Sequence, residues 1–156
     1  MLNRRHLRIK VLQALYAYFQ SNDPNYVKLE ENLMNSIEKM YTLYLYFLLS
    51  FEEIKDQAEH RLEESKKKFR PTEEDSNPNM KLINNRVFSM LEKHKELKRE
   101  ANNHKASWEG AENQELFRKI FLVIRESETF FDYMNNGEDS FEDDLAFTVE
   151  LFKEEI

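Results

Sequence analysis

The scarcity of turn-forming residues constrains the fold of this chain more than any other feature of its sequence. Only two glycines and three prolines occur in 156 residues, whereas average usage would give roughly 11 and 8. All-β folds need many tight turns, and those turns draw on glycine and proline for their backbone angles. The sequence therefore predicts an all-α fold.

Helical periodicity divides the chain into about five predicted helices, one of them very long. The stretch from about Asn25 to Phe69 contains no glycine or proline and would measure on the order of 65 Å as one unbroken helix. We expect a helical bundle built around this central element. The other four predicted helices are about Asn3–Gln20, Asn79 to His94 or further, Glu112–Asn135 and Phe141–Ile156.

Several polar residues mark the predicted helix starts. Asp23 and Asn77 each precede a proline, and Ser140 stands three residues before Asp143, which are patterns typical of N-caps. The segment Lys95–Lys105 is almost wholly polar, so it is either an exposed helix or a frayed one. Trp108 is interpreted as a packing anchor between helices, which is more common than a stacking platform.

Positive charge is concentrated at the start of the chain. The formal net charge of the whole protein is −7. The first 22 residues carry +4, because the first acidic residue is Asp23, and the remaining 134 therefore carry −11. A local positive potential on an acidic protein suits a phosphate-bearing partner.

Three arginines of the first predicted helix are expected to share one face. Arg4, Arg5 and Arg8 are related by steps of three and four residues, which bring side chains together on a helix. Cations at a helix N-terminus oppose the macrodipole, at a cost of a few tenths of a kcal/mol each. This cost favours a binding role over a merely solubilising one. Tyr16 and Tyr18 lie two to three turns further on. Their rings either face the nucleic acid, if the partner is an RNA, or pack in the core.

The sequence contains no motif that indicates catalysis, a cofactor or a metal. It lacks a glycine-rich phosphate loop, an HExxH pair, an EF-hand loop and a nucleophile elbow. There is no cysteine, which excludes disulfides, thiolate metal sites and cysteine nucleophiles. The acidic runs at 73–75 and 138–144 lack the alternating oxygen ligands of a calcium loop. We therefore expect a protein that is not an enzyme and needs no cofactor.

Nothing in the sequence indicates export or a membrane partner. The basic N-terminus is not followed by the apolar segment and cleavage site of a secretory signal. The most apolar stretch, Met40–Phe51, has twelve residues, whereas a membrane-spanning helix needs about 20. The absence of cysteine is compatible with a reducing compartment. We expect a cytoplasmic protein.

Two segments resemble a known family. Arg5, Arg8 and the block Leu12-Gln13-Ala14-Leu15-Tyr16 resemble the opening helix of the transcription antitermination factor NusB, in which Arg–x4–Gln-Ala-Leu-Tyr follows an arginine-rich start. The match covers about twenty residues. A weaker resemblance, running from Asn77-Pro78 to Asn84-Asn85-Arg86-Val87, is to the larger, insertion-bearing bacterial version of that family.

The resemblance implies an all-helical, non-enzymatic protein that binds RNA. NusB proteins have two helical subdomains, bind the boxA RNA sequence together with the ribosomal protein NusE, and act in antitermination of ribosomal RNA transcription. Carried onto this chain, the resemblance makes Arg5 and Arg8 the first RNA-contact candidates. Three more follow, namely Arg4, His6 and Lys10. His6 stands where the family often has arginine.

The C-terminal helical half of the NusB family is not visible in these residues. The last predicted helix carries its apolar stripe as far as Ile156, with no breaker or polar tail. We therefore expect residues 1–156 to be the N-terminal helical region of a longer NusB-like protein, with NusE binding a property of the full-length protein.

Two alternative functions remain open from the sequence. The first is a helical scaffold that pairs with another protein or with a second copy, as a homodimer, and binds no RNA. The second is an RNA-binding appendage of a ribosomal RNA methyltransferase, since NusB-like domains occur in such enzymes. No methyl-donor motif is present in this chain to support the second alternative.

Overall fold

The computed structural model describes residues 3–22, 24–67 and 78–154, and these are all-α, with no strand. The predictions of an all-α fold and of one very long helix are confirmed. The prediction of about five helices fits roughly, since the described residues form seven. These are α1 (Arg4–Gln20), α2 (Tyr26–Lys66), α3 (Arg86–Glu92), α4 (Lys95–Asn103), α5 (Ala111–Glu126), α6 (Glu128–Asn135) and α7 (Phe141–Glu154).

The long helix α2 crosses the boundary between two compact units of the chain. The first unit is Met1–Leu45 and the second is Tyr46–Ile156. The predicted end of this helix, Phe69, and the predicted caps Asp23 and Asn77 lie outside the described residues. Within the described ranges, no helix combines the length and the apolar character needed to cross a bilayer.

The first unit has almost no buried side chains. Helix α1 contains no buried residue, and Leu45 alone is buried among the described residues of this unit. Ala14 and Tyr18 of α1 line a shallow cleft with Leu29 of α2. The cleft shows which side of α1 is turned toward α2. The first unit therefore exposes most of the apolar surface that its two helices carry.

The second unit holds the hydrophobic core. Its centre is aromatic: Phe88 is fully buried, with its ring centroid 5.3 Å from that of Phe51 and 6.5 Å from that of Phe147. Burying large apolar side chains is the main source of stability in such a unit. The core residues come from five helices and from Leu82, which precedes α3. They are Phe51, Ile54, Ala58, Leu82, Phe88, Phe117, Phe121, Ile124, Tyr133, Phe147 and Leu151.

Trp108 joins this core as a packing anchor, as interpreted from the sequence. Its indole Nε1 donates a hydrogen bond of 2.9 Å to the carbonyl oxygen of Tyr46. Its ring packs edge-on against Tyr46 and Phe117, with centroids 4.8 Å and 5.1 Å away. The half-buried ring is thus occupied by contacts within its own unit.

The predicted helix Glu112–Asn135 is divided at Ser127. This residue has extended backbone angles (φ −74°, ψ 148°), so it ends α5 and serves as the N-cap of α6. Its hydroxyl donates to the carbonyl oxygen of Ile124 at 2.7 Å and accepts from the backbone N–H of Phe130 at 3.2 Å. Ser127 thus hydrogen-bonds a carbonyl group near the end of α5 and an N–H group near the start of α6. Backbone groups at helix ends have no partner within their own helix.

The predicted helix Asn79–His94 is shorter than expected, because it starts only at Arg86. Residues 81–84 form a turn instead. A new helix, α4, follows directly, since the His94 Nδ1 accepts a hydrogen bond from the backbone N–H of Leu97 at 3.1 Å. Leu97 and Ala101 are buried. The polar segment 95–105 is therefore mostly a packed helix rather than a frayed one.

Candidate nucleic-acid interface

The first helix begins at a side-chain cap that sets the position of the arginines. Asn3 has extended backbone angles, and its Oδ1 accepts hydrogen bonds from the N–H groups of Arg5 at 2.8 Å and His6 at 3.1 Å. A capped first turn resists fraying. The cap therefore holds Arg4 and Arg5 on regular helical backbone from the first turn onward.

The three arginines of α1 are exposed and have no acidic partner among the described residues. Arg4, Arg5 and Arg8 are all exposed, and the Arg8 Nε donates to the carbonyl oxygen of Arg4 at 3.2 Å. Within the described residues, none of the three forms an ion pair with a carboxylate. The first turn of α1 contains no acidic residue. Their positive charge therefore faces solvent, and no carboxylate in the described part of the chain compensates it.

The other two predicted RNA contacts lie on the opposite side of the helix. At 3.6 residues per turn, His6 and Lys10 form a row of their own, roughly half a turn away from Arg5 and Arg8. His6 is exposed and Lys10 is half-buried. The structure thus brings Arg4, Arg5 and Arg8 together and separates His6 and Lys10 from them.

The exposed side of α1 continues beyond the arginines as an apolar and aromatic surface. Arg5, Arg8, Leu12, Tyr16 and Phe19 fall within about 100° of helical arc, and we call this set the α1 outer face. Leu12, Tyr16 and Phe19 are 68%, 67% and 78% exposed. The sequence left open whether Tyr16 faces RNA or the core. The helical angle alone could have assigned Tyr16 and Phe19 to the arginine side.

Asn85, within the second resemblance segment, belongs to a buried polar network. Asn85 is fully buried, and its Oδ1 caps α3 by accepting from the N–H groups of Val87 at 2.9 Å and Phe88 at 3.1 Å. Its Nδ2 donates to the Tyr133 hydroxyl at 3.1 Å, and that hydroxyl donates to Asp144 Oδ1 at 2.6 Å. The network ties the start of α3 to α6 and α7.

Three acidic residues around the start of α7, namely Asp139, Asp143 and Asp144, are paired with cations of the same unit. Asp144 Oδ2 accepts from the backbone N–H of Arg86 at 3.1 Å and from its guanidinium at 3.3 Å. The same guanidinium also pairs with Asp139. Asp143 Oδ2 lies 2.7 Å from the Lys81 ammonium, an ion pair without hydrogen-bond alignment. These carboxylates neutralise Arg86 and Lys81. Neither cation is therefore free to bind a phosphate.

Tyr133 is the residue of this network whose ionisation is most perturbed. Burial raises the pKa of its phenol well above the ordinary value near 10, and the hydrogen bond to Asp144 raises it further, against the opposing effect of Asn85. Its ring also stacks on Phe147, with centroids 3.9 Å apart. The native state therefore holds Tyr133 as the neutral phenol.

We expect the stabilising effect of the Tyr133 hydroxyl to decline at high pH. Below pH 10, Tyr133→Phe should lower the free energy of unfolding by about 1–3 kcal/mol, because it removes two hydrogen bonds and leaves buried groups of Asn85 and Asp144 without that partner. Above pH 10 the unfolded phenol ionises while the native one stays neutral, so the wild type loses stability relative to Tyr133→Phe. Urea unfolding of both proteins between pH 8 and pH 11 measures this. A stability difference that stays constant with pH would contradict the assignment.

Two more arginines line a shallow groove in the second unit, which also carries acidic side chains. The groove lies between the C-terminal half of α2 and α5, and Arg61 and Arg118 are among its lining residues. Arg118 is bound by Glu115 through hydrogen bonds of 2.8 Å and 3.0 Å. Burial raises the pKa of Asp56, another lining residue. Mixed charge of this kind favours a solvated groove over a phosphate site.

The described residues contain no group of three or more histidine, aspartate and glutamate side chains that could hold a metal ion.

The comparisons with known proteins add no identification, since no family model, curated protein or solved structure matches this chain. The arginine cluster of α1 is therefore the candidate site with the clearest chemical character among the described residues.

Proposed function

We propose that this chain binds RNA through Arg4, Arg5 and Arg8. The observation that carries the proposal is the arrangement of these side chains: three exposed guanidinium groups on a capped helix start, without a carboxylate partner among the described residues. Guanidinium groups bind phosphate through two parallel hydrogen bonds and also stack on bases. An unpaired cluster of this kind releases counterions from a nucleic acid when it binds.

The distribution of charge between the two units supports the same site. Met1–Leu45 contains six basic and four acidic residues, a net charge of +2, whereas Tyr46–Ile156 contains seventeen and twenty-six, a net charge of −9. The second unit repels a polyanion, and the first attracts it. An approaching nucleic acid is thereby steered toward the first unit.

Within this proposal, the chain acts as a NusB-type transcription antitermination factor. It binds boxA-type RNA of ribosomal RNA operons, and the full-length protein acts with the ribosomal protein NusE. It performs no catalysis and works by positioning RNA and protein together. The support is the resemblance of the opening helix, in which Arg8 and Gln13 keep the family spacing and Gln13 and Tyr16 are exposed. The proposed role is cytoplasmic and involves no membrane.

One observation favours a second candidate function, namely self-association. Helix α7 exposes an apolar stripe along one side. Contiguous exposed apolar surface often marks a protein interface. The stripe consists of Phe141, Leu145, Val149 and Phe152, each between 41% and 44% exposed. In this reading the chain is a helical scaffold that forms a homodimer.

The experiment that tests the RNA proposal is a titration of ¹⁵N-labelled protein with a 12-nucleotide single-stranded RNA. We expect the largest amide shift changes within residues 4–10, because the phosphates contact the side chains of that segment. Shift changes confined to α7 that depend on protein concentration and not on RNA would favour the scaffold. An absence of RNA-dependent changes in α1 would refute the proposal.

A further inference from the structure

The α1 outer face combines two kinds of binding chemistry on one side of a single helix. Its leading turns carry the guanidinium groups of Arg5 and Arg8, and its trailing turns carry the rings of Tyr16 and Phe19. These two rings are 67% and 78% exposed, although aromatic side chains usually contribute most when they are packed. Residues 3–22 contain no carboxylate at all, so nothing on this helix repels a phosphate chain.

We propose that single-stranded RNA held by Arg5 and Arg8 continues along α1 and stacks its bases on Tyr16 and Phe19. This inference rests on the RNA-binding function proposed above. Proteins that bind single strands combine a cationic path for the backbone with exposed aromatic rings for the bases. Both components are present here, in series on one face.

The dimensions of the helix fit a short stretch of RNA. Arg8 and Tyr16 are eight residues apart, or about 12 Å along the helix axis, and Phe19 lies about 4.5 Å beyond Tyr16. A strand with stacked bases rises about 3.4 Å per nucleotide. The distance from the arginines to the rings therefore spans about four to five nucleotides.

Charge complementarity favours RNA over a protein partner on this face. The face carries two arginines, the polar ring of Tyr16 and the apolar ring of Phe19. It has no acidic residue that could pair with a lysine or arginine of a protein partner. Protein interfaces commonly interleave both signs of charge around an apolar centre. A face that combines cations with exposed rings and carries no carboxylate is the pattern expected for a single strand. Leu12, between the two groups, adds apolar contact for a base or ribose.

The test replaces the rings by leucine, which keeps apolar bulk and removes the stacking surface. We would titrate Tyr16→Leu, Phe19→Leu and the double variant with a 12-nucleotide single-stranded RNA that contains 2-aminopurine, whose fluorescence is quenched by stacking. The same proteins are titrated with inorganic polyphosphate, a ligand without bases. Phe131→Leu is the matched control, because Phe131 is 65% exposed and lies on α6 in the second unit.

Each leucine variant should bind the RNA about 5- to 150-fold more weakly, which is the range expected for one lost stack. Polyphosphate binding and the salt dependence should not change, and the double variant should lose most of the fluorescence quenching. Phe131→Leu should bind both ligands like the wild type. Circular dichroism confirms that helix content is retained, as expected for exposed positions.

The outcomes separate this inference from the function on which it rests. Leucine variants that bind RNA like the wild type, while Arg5→Ala/Arg8→Ala weakens it, would overturn the stacking inference alone and leave the outer face to a protein partner. A wild type that binds polyphosphate and RNA equally well, without quenching, would also overturn it. A wild type that binds neither ligand would refute the RNA-binding function as well.

Discussion

Asn85→Ala should lower the free energy of unfolding by about 2–4 kcal/mol. The substitution removes an N-cap, which costs about 1 kcal/mol, and leaves buried polar groups without partners, which costs about 1–3 kcal/mol. The groups affected are the N–H groups of Val87 and Phe88 and the hydroxyl of Tyr133. Because Asn85 is fully buried, water cannot readily replace the lost hydrogen bonds. Urea unfolding followed by circular dichroism measures the loss.

Asn84 supplies the matched control for this prediction. It is the same residue type, one position earlier, but its side chain is exposed. Exposed substitutions away from such networks usually change stability by less than about 0.5 kcal/mol. Asn84→Ala should therefore unfold close to the wild-type midpoint. Equal midpoints for Asn85→Ala and Asn84→Ala would show that the buried network does not stabilise the second unit.

The double variant Arg5→Ala/Arg8→Ala should bind single-stranded RNA roughly tenfold more weakly at 150 mM salt, and several tens of times more weakly at 50 mM. Each phosphate contact to a single strand contributes about 0.7 to the slope of log affinity against log salt concentration. Two lost contacts therefore cost more at low salt, where counterion release is worth more. Fluorescence anisotropy with a labelled 12-nucleotide RNA measures both conditions.

A control for net charge accompanies this variant. Lys93→Ala/Lys95→Ala also removes two positive charges, from exposed positions of the second unit. If RNA affinity depended on net charge alone, this control would weaken binding as much as the arginine variant. We expect it to change affinity less than twofold at 150 mM salt, because exposed charges that do not contact the RNA are screened beyond about 8 Å.

The fold class and the positions of the helix starts could be predicted where the sequence carries a local signal. Ser140 caps α7 as predicted, since its Oγ accepts from the backbone N–H of Asp143 at 3.1 Å. The breaks at Ser127 and His94 were missed. Neither residue is a glycine or proline, and serine and histidine are also found in helix interiors. Only the capping hydrogen bonds of the folded chain therefore reveal these helix ends.

The arginine cluster was predictable because helical spacing alone places Arg4, Arg5 and Arg8 together. Their lack of acidic partners among the residues that the structure describes was not predictable, since it depends on which carboxylates the fold brings near. The same limit applies to Tyr16 and Tyr18, which are similar in sequence context. Tyr18 is half-buried and Tyr16 is exposed, because only one of them lies on the side of α1 turned toward α2.

The buried network around Asn85 had no sequence signal at all. Its partners Tyr133 and Asp144 lie 48 and 59 residues away along the chain. Asparagine, tyrosine and aspartate are common surface residues, and their burial follows from the packing of α3, α6 and α7. The resemblance includes Asn84-Asn85-Arg86-Val87. In the structure, Asn85 caps α3, and Arg86 forms ion pairs with Asp139 and Asp144.

The salt dependence of RNA binding tests the central proposal most directly. The wild type and Arg5→Ala/Arg8→Ala are titrated with the same single-stranded RNA between 50 and 300 mM salt. If both arginines neutralise phosphates, the slope of log affinity against log salt should be about 1.4 shallower in the double variant. Equal slopes and equal affinities for the two proteins would show that these guanidinium groups do not contact RNA.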